Sequence, residues 1–386
     1  MRIVVHKYGG SSVKDIERIQ AVARRVAASH EQGTRVVVVV SAMGNTTNEL
    51  LQLAQKVSQS PRRRELDMLV SVGERIAMTL LSMAINELGV PALSFTGSQS
   101  GIITDESHAN ARVVAVRPHR VLKALQDGNI AIVAGFQGVS RTKEVTTLGR
   151  GGSDTTAVAL AAALKAEWCE IHSDVPGVCS ADPRVVPDAI KLDTLSLEEA
   201  LNMARHGAKV LHDEALAYAK QQGIELVSSS AHSDEAGTRI QVESLPPRVT
   251  AIVADTRLEE FIADEKGELF KTLEQAGAPL RSINDQEILV DLRNWHDRES
   301  FVLPPGAGSK GVIGQVSAVG IGIGTDFKLM REGSTALEAA AIKVHSRRST
   351  PDALHWWVAL ENTEPAQRVL HALFIHNLKD KPTGDT

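Results

Sequence analysis

The stretch "IVVHKYGGSSVKDIERIQAVARRV", residues 3–26, contains the repeating unit from which the fold can be predicted. Its first three residues are a strand-like apolar run, two glycines then turn the chain, and Val13 begins apolar residues at helical spacing. A strand, a glycine turn and a helix in this order are typical of α/β proteins. Lys7 stands beside the glycine turn, at a corner where such folds commonly bind ligands.

The same pattern continues along the next two hundred or so residues. The apolar run in "RVVVVVSAMG" (35–44) does not alternate with polar residues, which predicts a strand covered on both faces, as in parallel sheets. Helices and strands then alternate, with one helix through 65–89 and one strand through "IAIVAGFQG" (130–138), as far as a last strand at "IELVSSS" (224–230). We therefore predict a doubly wound, mainly parallel α/β sheet.

The alternation of helices and strands is interrupted by two prolines at "VESLPPRVT" (242–250). This interruption indicates a domain boundary. We predict one domain over 1–245 and a second over 250–380. The second region contains shorter segments, including two strands at "TAIVAD" and "LEEFIAD", and it is interpreted as a pair of similar α+β modules. The glycines in "GIGIG" (320–324) are interpreted as part of a strand pressed closely on a neighbour.

Composition limits the classes of partner. The chain of 386 residues is 43% hydrophobic and 23% charged, with a net charge of -5, so it has no basic excess for binding nucleic acid. Its longest apolar runs fall short of the roughly 20 residues that a membrane helix needs, so we expect no membrane partner. Two cysteines and the lack of an apolar leader predict a cytoplasmic protein without a disulfide framework.

Candidate site residues lie in the loops at the carboxyl ends of the strands, where open α/β sheets bind ligands. The first two loops offer an ammonium group, hydroxyls and amides that suit an anion: Lys7, Gly9, Gly10, Ser11, Ser41, Gly44 and Thr47. The third, "TTLGRGGSDTTA" (146–157), contains Arg150, Ser153 and Asp154. The fourth, "SDVPGVCSADPR" (173–184), is a polar loop that could hold a base or ribose, and Glu74 and Lys209 complete the set.

Each feature also has a structural interpretation. Glycine turns commonly join strands to helices without binding a ligand. Glu74 could be a solvent-facing helix residue, and Asp154 could be only a helix N-cap. Arg150 among three glycines favours function, because glycine usually lets the backbone approach a neighbour closely. No metal site is predicted, since the spacing of the nearest cysteines and histidine fits no usual zinc pattern: Cys169, His172 and Cys179.

Seven motifs in order resemble those of aspartate kinases: "KYGGSS", "SAMGNTTN", "SVGE", "GFQG", "TTLGRGGSDTTA", "SDVPGVCSADPR" and "GAKVLH". The resemblance covers residues 1 to about 245. Within the amino-acid kinase superfamily, it is a resemblance to aspartate kinases specifically. It implies transfer of the γ-phosphoryl of ATP to the β-carboxylate of L-aspartate, giving 4-phospho-L-aspartate, with Mg²⁺ as a further cofactor. The second region occupies the position of the family's paired ACT modules.

The resemblance also implies roles for the site residues. Lys7 with the Gly9 and Gly10 amides would hold the transferring phosphoryl, and Lys209 the nucleotide phosphates. Arg150 would clamp the α-carboxylate of aspartate and Glu74 would meet its ammonium group. The remaining residues would complete the pocket or bind the nucleotide: Thr47, Ser153 and Asp154 for the pocket, and Ser11, Ser41, Ser173, Asp174, Cys179, Asp182 and Arg184 for the nucleotide. If these roles hold, the loops of Lys7, Glu74, Arg150 and Lys209 converge on one cavity.

Two other functions stay open from the sequence. One is a sister kinase of the same fold acting on glutamate, N-acetylglutamate, carbamate or UMP. The other is a catalytically inactive regulatory subunit that has kept the fold. The resemblance further implies a homodimer through the C-terminal region and an amino-acid effector, although "RSINDQEI" (281–288) contains no clear effector-loop signature.

Overall fold

The computed structural model describes residues 2–209, 211–263, 266–283, 287–295 and 298–375. The chain divides into two compact units, and the first contains residues 2–178, 191–201 and 211–244. The second contains 179–190, 202–209 and the residues from Leu245 onward. The predicted division of the sequence at 245–250 stays a prediction, since two short segments before it group with the second unit.

Helices and strands alternate through the described residues. The helices, in chain order, are α1 (Ile16–Glu31), α2 (Thr46–Val57), α3 (Arg63–Val70), α4 (Val72–Glu87), α5 (His119–Gln126), α6 (Gly152–Leu164), α7 (Leu197–Arg205), α8 (Asp213–Gln222), α9 (Lys266–Gln275), α10 (Phe327–Ala339) and α11 (Thr363–Phe374). The strands are β1 (Ile3–Tyr8), β2 (Arg35–Val40), β3 (Ala92–Phe95), β4 (Ile102–Thr104), β5 (Val113–Val116), β6 (Ile130–Ala134), β7 (Gln137–Ser140), β8 (Val145–Thr147), β9 (Cys169–Ser173), β10 (Thr194–Ser196), β11 (Leu226–Ser230), β12 (Thr238–Gln241), β13 (Ala251–Ala263), β14 (Leu280–Ile283), β15 (Ile288–Asp291), β16 (Ala307–Val319), β17 (Val344–Thr350) and β18 (Ala353–Val358).

The first unit is built on an eight-stranded sheet with the order β10-β12-β11-β9-β1-β2-β6-β3. All neighbouring strands are parallel except β11 and β12, which confirms the predicted doubly wound, mainly parallel α/β sheet. The five valines of β2 are fully buried, as expected for a strand covered on both faces. Because β1 lies at the centre of the sheet, the glycine turn after it opens at the middle of the carboxyl edge.

A second, four-stranded sheet of order β5-β4-β7-β8 was not predicted. The predicted strand through 130–138 is wrong, because Gly135 and Phe136 separate β6 from β7 and Phe136 has a φ of 66°. The predicted single helix through 65–89 is also wrong, since it divides at Ser71 into α3 and α4. The strand at 226–230 is not the last of the first unit, because β12 pairs with it.

Among the described residues, Arg63–Glu87 is long and apolar enough to cross a membrane by length and composition alone. Half of its most apolar window is buried inside the protein, and a core helix of a globular domain passes the same test. The segment comprises α3 and α4, and α4 packs against β3 and β6. This packing fits a core helix, and the expected absence of a membrane partner stays a prediction.

The second unit contains a six-stranded antiparallel sheet of order β14-β15-β13-β16-β18-β17. The order β13-α9-β14-β15 recurs as β16-α10-β17-β18, with α11 at the end, and β13 and β16 pair at the centre of the sheet. Each repeat has its own buried aromatic core, around Phe261 and Trp295 in the first and around Trp356 in the second. This pair of similar α+β modules confirms the predicted C-terminal region and is consistent with ACT-like modules.

Two details of the second unit differ from the prediction. The two predicted strands are one strand, β13. Its register with β16 is irregular between Asp255 and Leu258, at the point where the sequence pattern predicted a break. The glycines at 320–324 follow the end of β16 instead of lying in it. The close approach predicted for them is present, since a Cβ on Gly320 would lie 1.8 Å from the carbonyl oxygen of Arg248.

Candidate active site

Lys7 and Asp154 meet at the centre of the carboxyl edge of the first unit. Lys7 is the fifth residue of β1, and Asp154 lies in the first turn of α6, which packs on β1. The Lys7 Nζ atom is 2.7 Å from Asp154 Oδ1, and each side chain is 12% exposed. Asp154 is therefore not an N-cap, because Gly151 takes that position and the Asp154 carboxylate pairs with the lysine.

The glycine turn after β1 is joined to the second loop. The Gly44 N–H donates a hydrogen bond of 3.0 Å to the Gly10 carbonyl, and a Cβ on Gly10 would lie 2.7 Å from the Ala42 carbonyl oxygen. A Cβ on Gly9 would lie 3.5 Å from Lys7 Nζ, which places this glycine beside the ammonium group. The first two candidate loops thus form one surface, and glycine is required at Gly10 by backbone proximity.

The expected helix N-terminus at this turn is displaced. Residues 10–13 form a short 3₁₀ turn, and α1 begins only at Ile16, where the Asp15 side chain accepts a hydrogen bond from the Arg18 N–H. The Gly9 N–H donates to the His172 carbonyl at 3.3 Å. The Asp15 side chain therefore caps the positive end of the α1 dipole. The positive charge beside the glycine turn comes from Lys7.

Glu74 is a buried carboxylate and does not face solvent. It lies on α4 with 3% of its surface exposed, and its Oε1 accepts a hydrogen bond of 3.1 Å from the Ala42 N–H. Its Oε2 has no hydrogen-bond partner within the described residues. Burial raises the pKa of Glu74 to about 7, partly offset by the backbone hydrogen bonds that it accepts. A cation brought to Oε2 would favour the ionised form.

We expect Glu74→Gln to raise the stability of the protein above pH 7 and to leave it nearly unchanged at pH 4. The folded-state pKa lies above the unfolded value of about 4.5, so the folded state loses stability as pH rises from about 4.5 to 7. The full difference is at most about 3 kcal/mol. Thermal denaturation at the two pH values measures it, with the exposed Glu87 of the same helix, as Glu87→Gln, for control. An equal shift at both pH values would contradict the assignment.

Arg150 is exposed at the tip of the third loop. The glycines on either side have left-handed backbone conformations, with φ of 73° at Gly149 and 69° at Gly151. A Cβ on Gly149 would lie 2.6 Å from Asn110 Oδ1, and one on Gly151 would lie 2.1 Å from His212 Cγ. The glycines therefore seat the loop against the protein, and the guanidinium group is left at the surface.

Asp67 supports this loop and was not identified from the sequence. Its carboxylate, 1% exposed, accepts a hydrogen bond from Thr147 Oγ1 at 2.6 Å and from the Ala109 N–H at 3.0 Å. His108 Nδ1 lies 2.7 Å from the same carboxylate. Asp67 thus joins α3 to the segment that packs under Gly149. The signal in the sequence was a carboxylate in the middle of an apolar helical pattern.

The amino-terminal turn of α6 holds the remaining pocket residues of the third loop. Ser153 is buried, and a Cβ on Gly135 would lie 2.7 Å from its Oγ. The Thr156 hydroxyl accepts a hydrogen bond from the Phe136 N–H at 3.2 Å. The turn between β6 and β7 therefore packs tightly against α6. This packing fixes the positions of Ser153 and Asp154 in the first turn of that helix.

Other predicted site residues of the first unit lie at loop positions around this edge. Ser41 follows β2 and its N–H donates to the Tyr8 carbonyl at 3.1 Å, while Thr47 is half-buried in the first turn of α2. Ser11 is exposed in the 3₁₀ turn. Ser173 ends β9, and Asp174, which follows it, is exposed. These residues stay predicted contacts.

Four predicted residues belong to the second unit: Cys179, Asp182, Arg184 and Lys209. Asp182 and Arg184 form a two-pronged pair, with Nε to Oδ1 at 2.9 Å and Nη2 to Oδ2 at 2.7 Å. This pairing, with a smaller contribution from the Lys209 charge, lowers the pKa of Asp182. Lys209 is exposed and Cys179 is half-buried. The predicted convergence of Lys209 with Lys7, Glu74 and Arg150 stays a prediction.

Comparisons with known proteins place the chain in a family. The model of the Amino acid kinase family matches residues 2–227. An aspartokinase of Corynebacterium glutamicum is 41% identical over 412 residues, which cover 97% of this chain and 96% of that protein. An aspartokinase of Mycobacterium bovis is 54% identical over 261 residues, which cover 66% of this chain and 62% of that protein.

A solved structure shares the fold over nearly the whole chain. The crystal structure of E. coli aspartokinase III in complex with aspartate and ADP superimposes with a TM-score of 0.82, covering 96% of this chain and 99% of that one. Its sequence identity is 23%, so the likeness shows the fold alone. Family membership depends on the sequence matches. The chain belongs to the amino acid kinase family and, within it, to the aspartokinases.

Proposed function

We infer that the chain transfers the γ-phosphoryl group of ATP to the β-carboxylate of L-aspartate. The observation that carries this assignment is the Lys7 ammonium group, placed beside the glycine turn at the end of the central strand and oriented by Asp154. A fixed cation at this edge suits phosphoryl transfer, in which negative charge on the transferring group must be stabilised. The comparisons favour neither a sister kinase nor an inactive subunit.

The acceptor requires no general base. An aspartate side chain has a pKa near 3.9, so it is ionised at neutral pH and can attack phosphorus directly. The bond between the γ-phosphorus and the bridging oxygen breaks as the carboxylate oxygen bonds to that phosphorus, and ADP leaves. The chain therefore has to bring two anions together in line, which Lys7 and the amides after Gly9 would favour by offsetting their repulsion.

Aspartate recognition would depend on two groups of opposite charge. The unpartnered Oε2 of buried Glu74 suits the substrate ammonium, and the exposed Arg150 fork suits the α-carboxylate. Thr47 and Ser153 would supply hydroxyl contacts. Requiring both a carboxylate clamp and an ammonium partner would select an amino acid over a plain dicarboxylate.

The nucleotide would be held by residues from the fourth loop with Ser11 and Ser41, and by Lys209 on its phosphates. When bound, Mg²⁺ would neutralise part of the phosphate charge. The exposed Asp174 after β9 offers the hard oxygen that this ion takes, and phosphates and water would supply its other ligands. Asp182 is paired with Arg184, so its carboxylate would position the loop rather than bind a metal.

Assembly and regulation extend this proposal. The paired modules of the second unit would be ACT domains that join two copies of the chain into a homodimer and bind an amino-acid effector. The product would enter amino-acid biosynthesis towards lysine, threonine or methionine, in the cytoplasm. Within "RSINDQEI" (281–288), residues 284–286 lie outside the described residues.

Trapping of the product tests the proposed reaction. An acyl phosphate reacts with hydroxylamine, so the full-length protein with ATP, Mg²⁺ and L-aspartate should form aspartyl hydroxamate, detectable by its ferric complex. Omitting aspartate or ATP is the control. Hydroxamate with glutamate or N-acetylglutamate in place of aspartate, or ADP formation with carbamate or UMP, would favour a sister kinase. No reaction with any of these acceptors would favour a regulatory subunit.

A further inference from the structure

A buried cluster lies on the face of the central sheet opposite Lys7. Successive side chains of a strand alternate between faces, so His6 and Tyr8 point away from the side that Lys7 occupies. In the parallel register, His6 of β1 is opposite Glu170 of β9, and Tyr8 is opposite His172. These side chains therefore share one face, and the pairing of β1 with β9 brings both imidazoles to one carboxylate.

The distances within this cluster are those of metal ligands rather than of hydrogen-bond partners. His6 Nε2 lies 3.9 Å from Glu170 Oε2, and His172 Nδ1 lies 3.7 Å from Glu170 Oε1. Both separations are too long for a hydrogen bond. Two ligands each about 2.1 Å from one tetrahedral ion lie roughly 3.4 Å apart, so a small side-chain rotation would bring His6 Nε2 and a Glu170 oxygen to a shared ion. His172 would contribute Nε2, because its Nδ1 is held by Ser229 Oγ.

Polar atoms without partners provide a second, independent observation. His6 is 7% exposed and His172 is 1% exposed, yet His6 Nδ1 and His172 Nε2 have no hydrogen-bond partner within the described residues. The Tyr8 hydroxyl, also buried, has none there either. Leaving a buried polar atom unsatisfied is costly, and an ion bound to His172 Nε2 would recover that loss at this ring.

The surroundings favour a nitrogen-binding ion. Burial lowers the pKa of His6 and holds that of His172 well below its ordinary value, which keeps both imidazoles in the neutral form that binds metals. Ser229 Oγ lies 2.9 Å from His172 Nδ1 and 2.7 Å from Glu170 Oε1. Because the hydroxyl donates to Glu170, it accepts from His172 Nδ1, which leaves His172 Nε2 as the nitrogen that would bind the ion. Groups behind metal ligands commonly orient them in this way. The Arg25 guanidinium is engaged with the carbonyls of Ser230 and Ser233.

We propose that His6, Glu170 and His172 bind one divalent transition-metal ion, of the class that Zn²⁺ represents. One ligand atom from each residue lies within 4.8 Å of the others, and within the described residues this is the one group of its kind. Two imidazoles and a carboxylate suit Zn²⁺ and disfavour Mg²⁺, so the site is separate from that of the nucleotide metal. The Glu170 side chain, 20% exposed, provides the route of entry.

Binding of the ion would tie β1 to β9. These neighbouring strands lead into the loops of Lys7 and Ser173, so the metal would hold the two loops in register. The sequence did not indicate this site, because its histidines are distant along the chain and resemble no zinc motif. The effect would be a gain of stability that does not depend on the kinase reaction.

Metal binding by the whole protein tests the proposal. After removal of metals with a chelator, we expect equilibrium dialysis against Zn²⁺ to give one ion per chain, undisplaced by excess Mg²⁺. His6→Gln and Glu170→Gln should lose this ion, and Ser229→Ala should bind it about 10–100-fold more weakly. His345→Gln, at an exposed histidine on β17, is the matched control and should bind as the wild type does. Zn²⁺ should raise the melting temperature of the wild type but not of His6→Gln.

A spectroscopic measurement on the wild type covers the case in which a variant does not fold. Co²⁺ in the site should give the intense visible absorption of a tetrahedral complex with nitrogen ligands, and Zn²⁺ should abolish it. A weak octahedral spectrum, or equal Zn²⁺ affinity for the wild type and a folded His6→Gln variant, would overturn the proposal. So would the absence of Zn²⁺ uptake by the wild type.

Discussion

Replacing Lys7 with alanine is expected to lower kcat by about 10²–10³-fold, the loss typical for removal of one preorganised group that stabilises developing charge. The ammonium group would act mainly as the phosphoryl transfers, so the apparent affinity for ATP should fall much less than turnover. Steady-state kinetics with saturating aspartate and varied ATP measure both quantities. The 2.7 Å contact with Asp154 holds the lysine in place before substrate arrives.

Removal of Lys7 also leaves Asp154 without its cation, so the variant needs a control for that charge. The double variant Lys7→Ala with Asp154→Asn removes both charges and should not recover turnover if the cation itself is required. Lys123→Ala, at an exposed lysine on α5, should leave kcat unchanged. Equal losses in turnover and in ATP affinity would indicate uniform binding of ground and transition states instead.

Replacing Arg150 with lysine is expected to raise the KM for aspartate by about 10–100-fold, with a smaller effect on the KM for ATP. A hydrogen bond to a charged group contributes about 1.5–3 kcal/mol, and a lysine cannot reproduce the two-pronged geometry of the guanidinium group. Because the Arg150 side chain is exposed, its replacement should change the melting temperature little. Kinetics with varied aspartate measure the effect.

Arg141→Lys provides the matched control for this prediction. Arg141 is exposed in the turn between β7 and β8, so the same substitution there should leave both KM values unchanged. An unaltered KM for aspartate in Arg150→Lys would contradict the assignment of Arg150 as the carboxylate clamp. A parallel rise in the KM for ATP would instead indicate a general disturbance of the loop.

Much of the candidate site could be predicted because its residues lie in loops fixed by local patterns. Lys7 precedes a glycine pair that must turn, and Arg150 lies between glycines that adopt left-handed conformations. Asp67 could not be assigned in the same way, because its role depends on Thr147 and Ala109, which only folding brings to it. The end of β6 before Gly135 could not be predicted for a related reason, because the residues after the turn pair with strands of a second sheet.

The sequence by itself determined the parallel α/β sheet, because runs such as the buried valines of β2 require cover on both faces whatever their partners are. It also determined the family, through loop motifs in a fixed order. Only the tertiary structure decided which side chains meet. Lys7 reaches Asp154 while its neighbour His6 faces Glu170, because strand alternation separates adjacent residues and the register of β1 with β9 selects their partners.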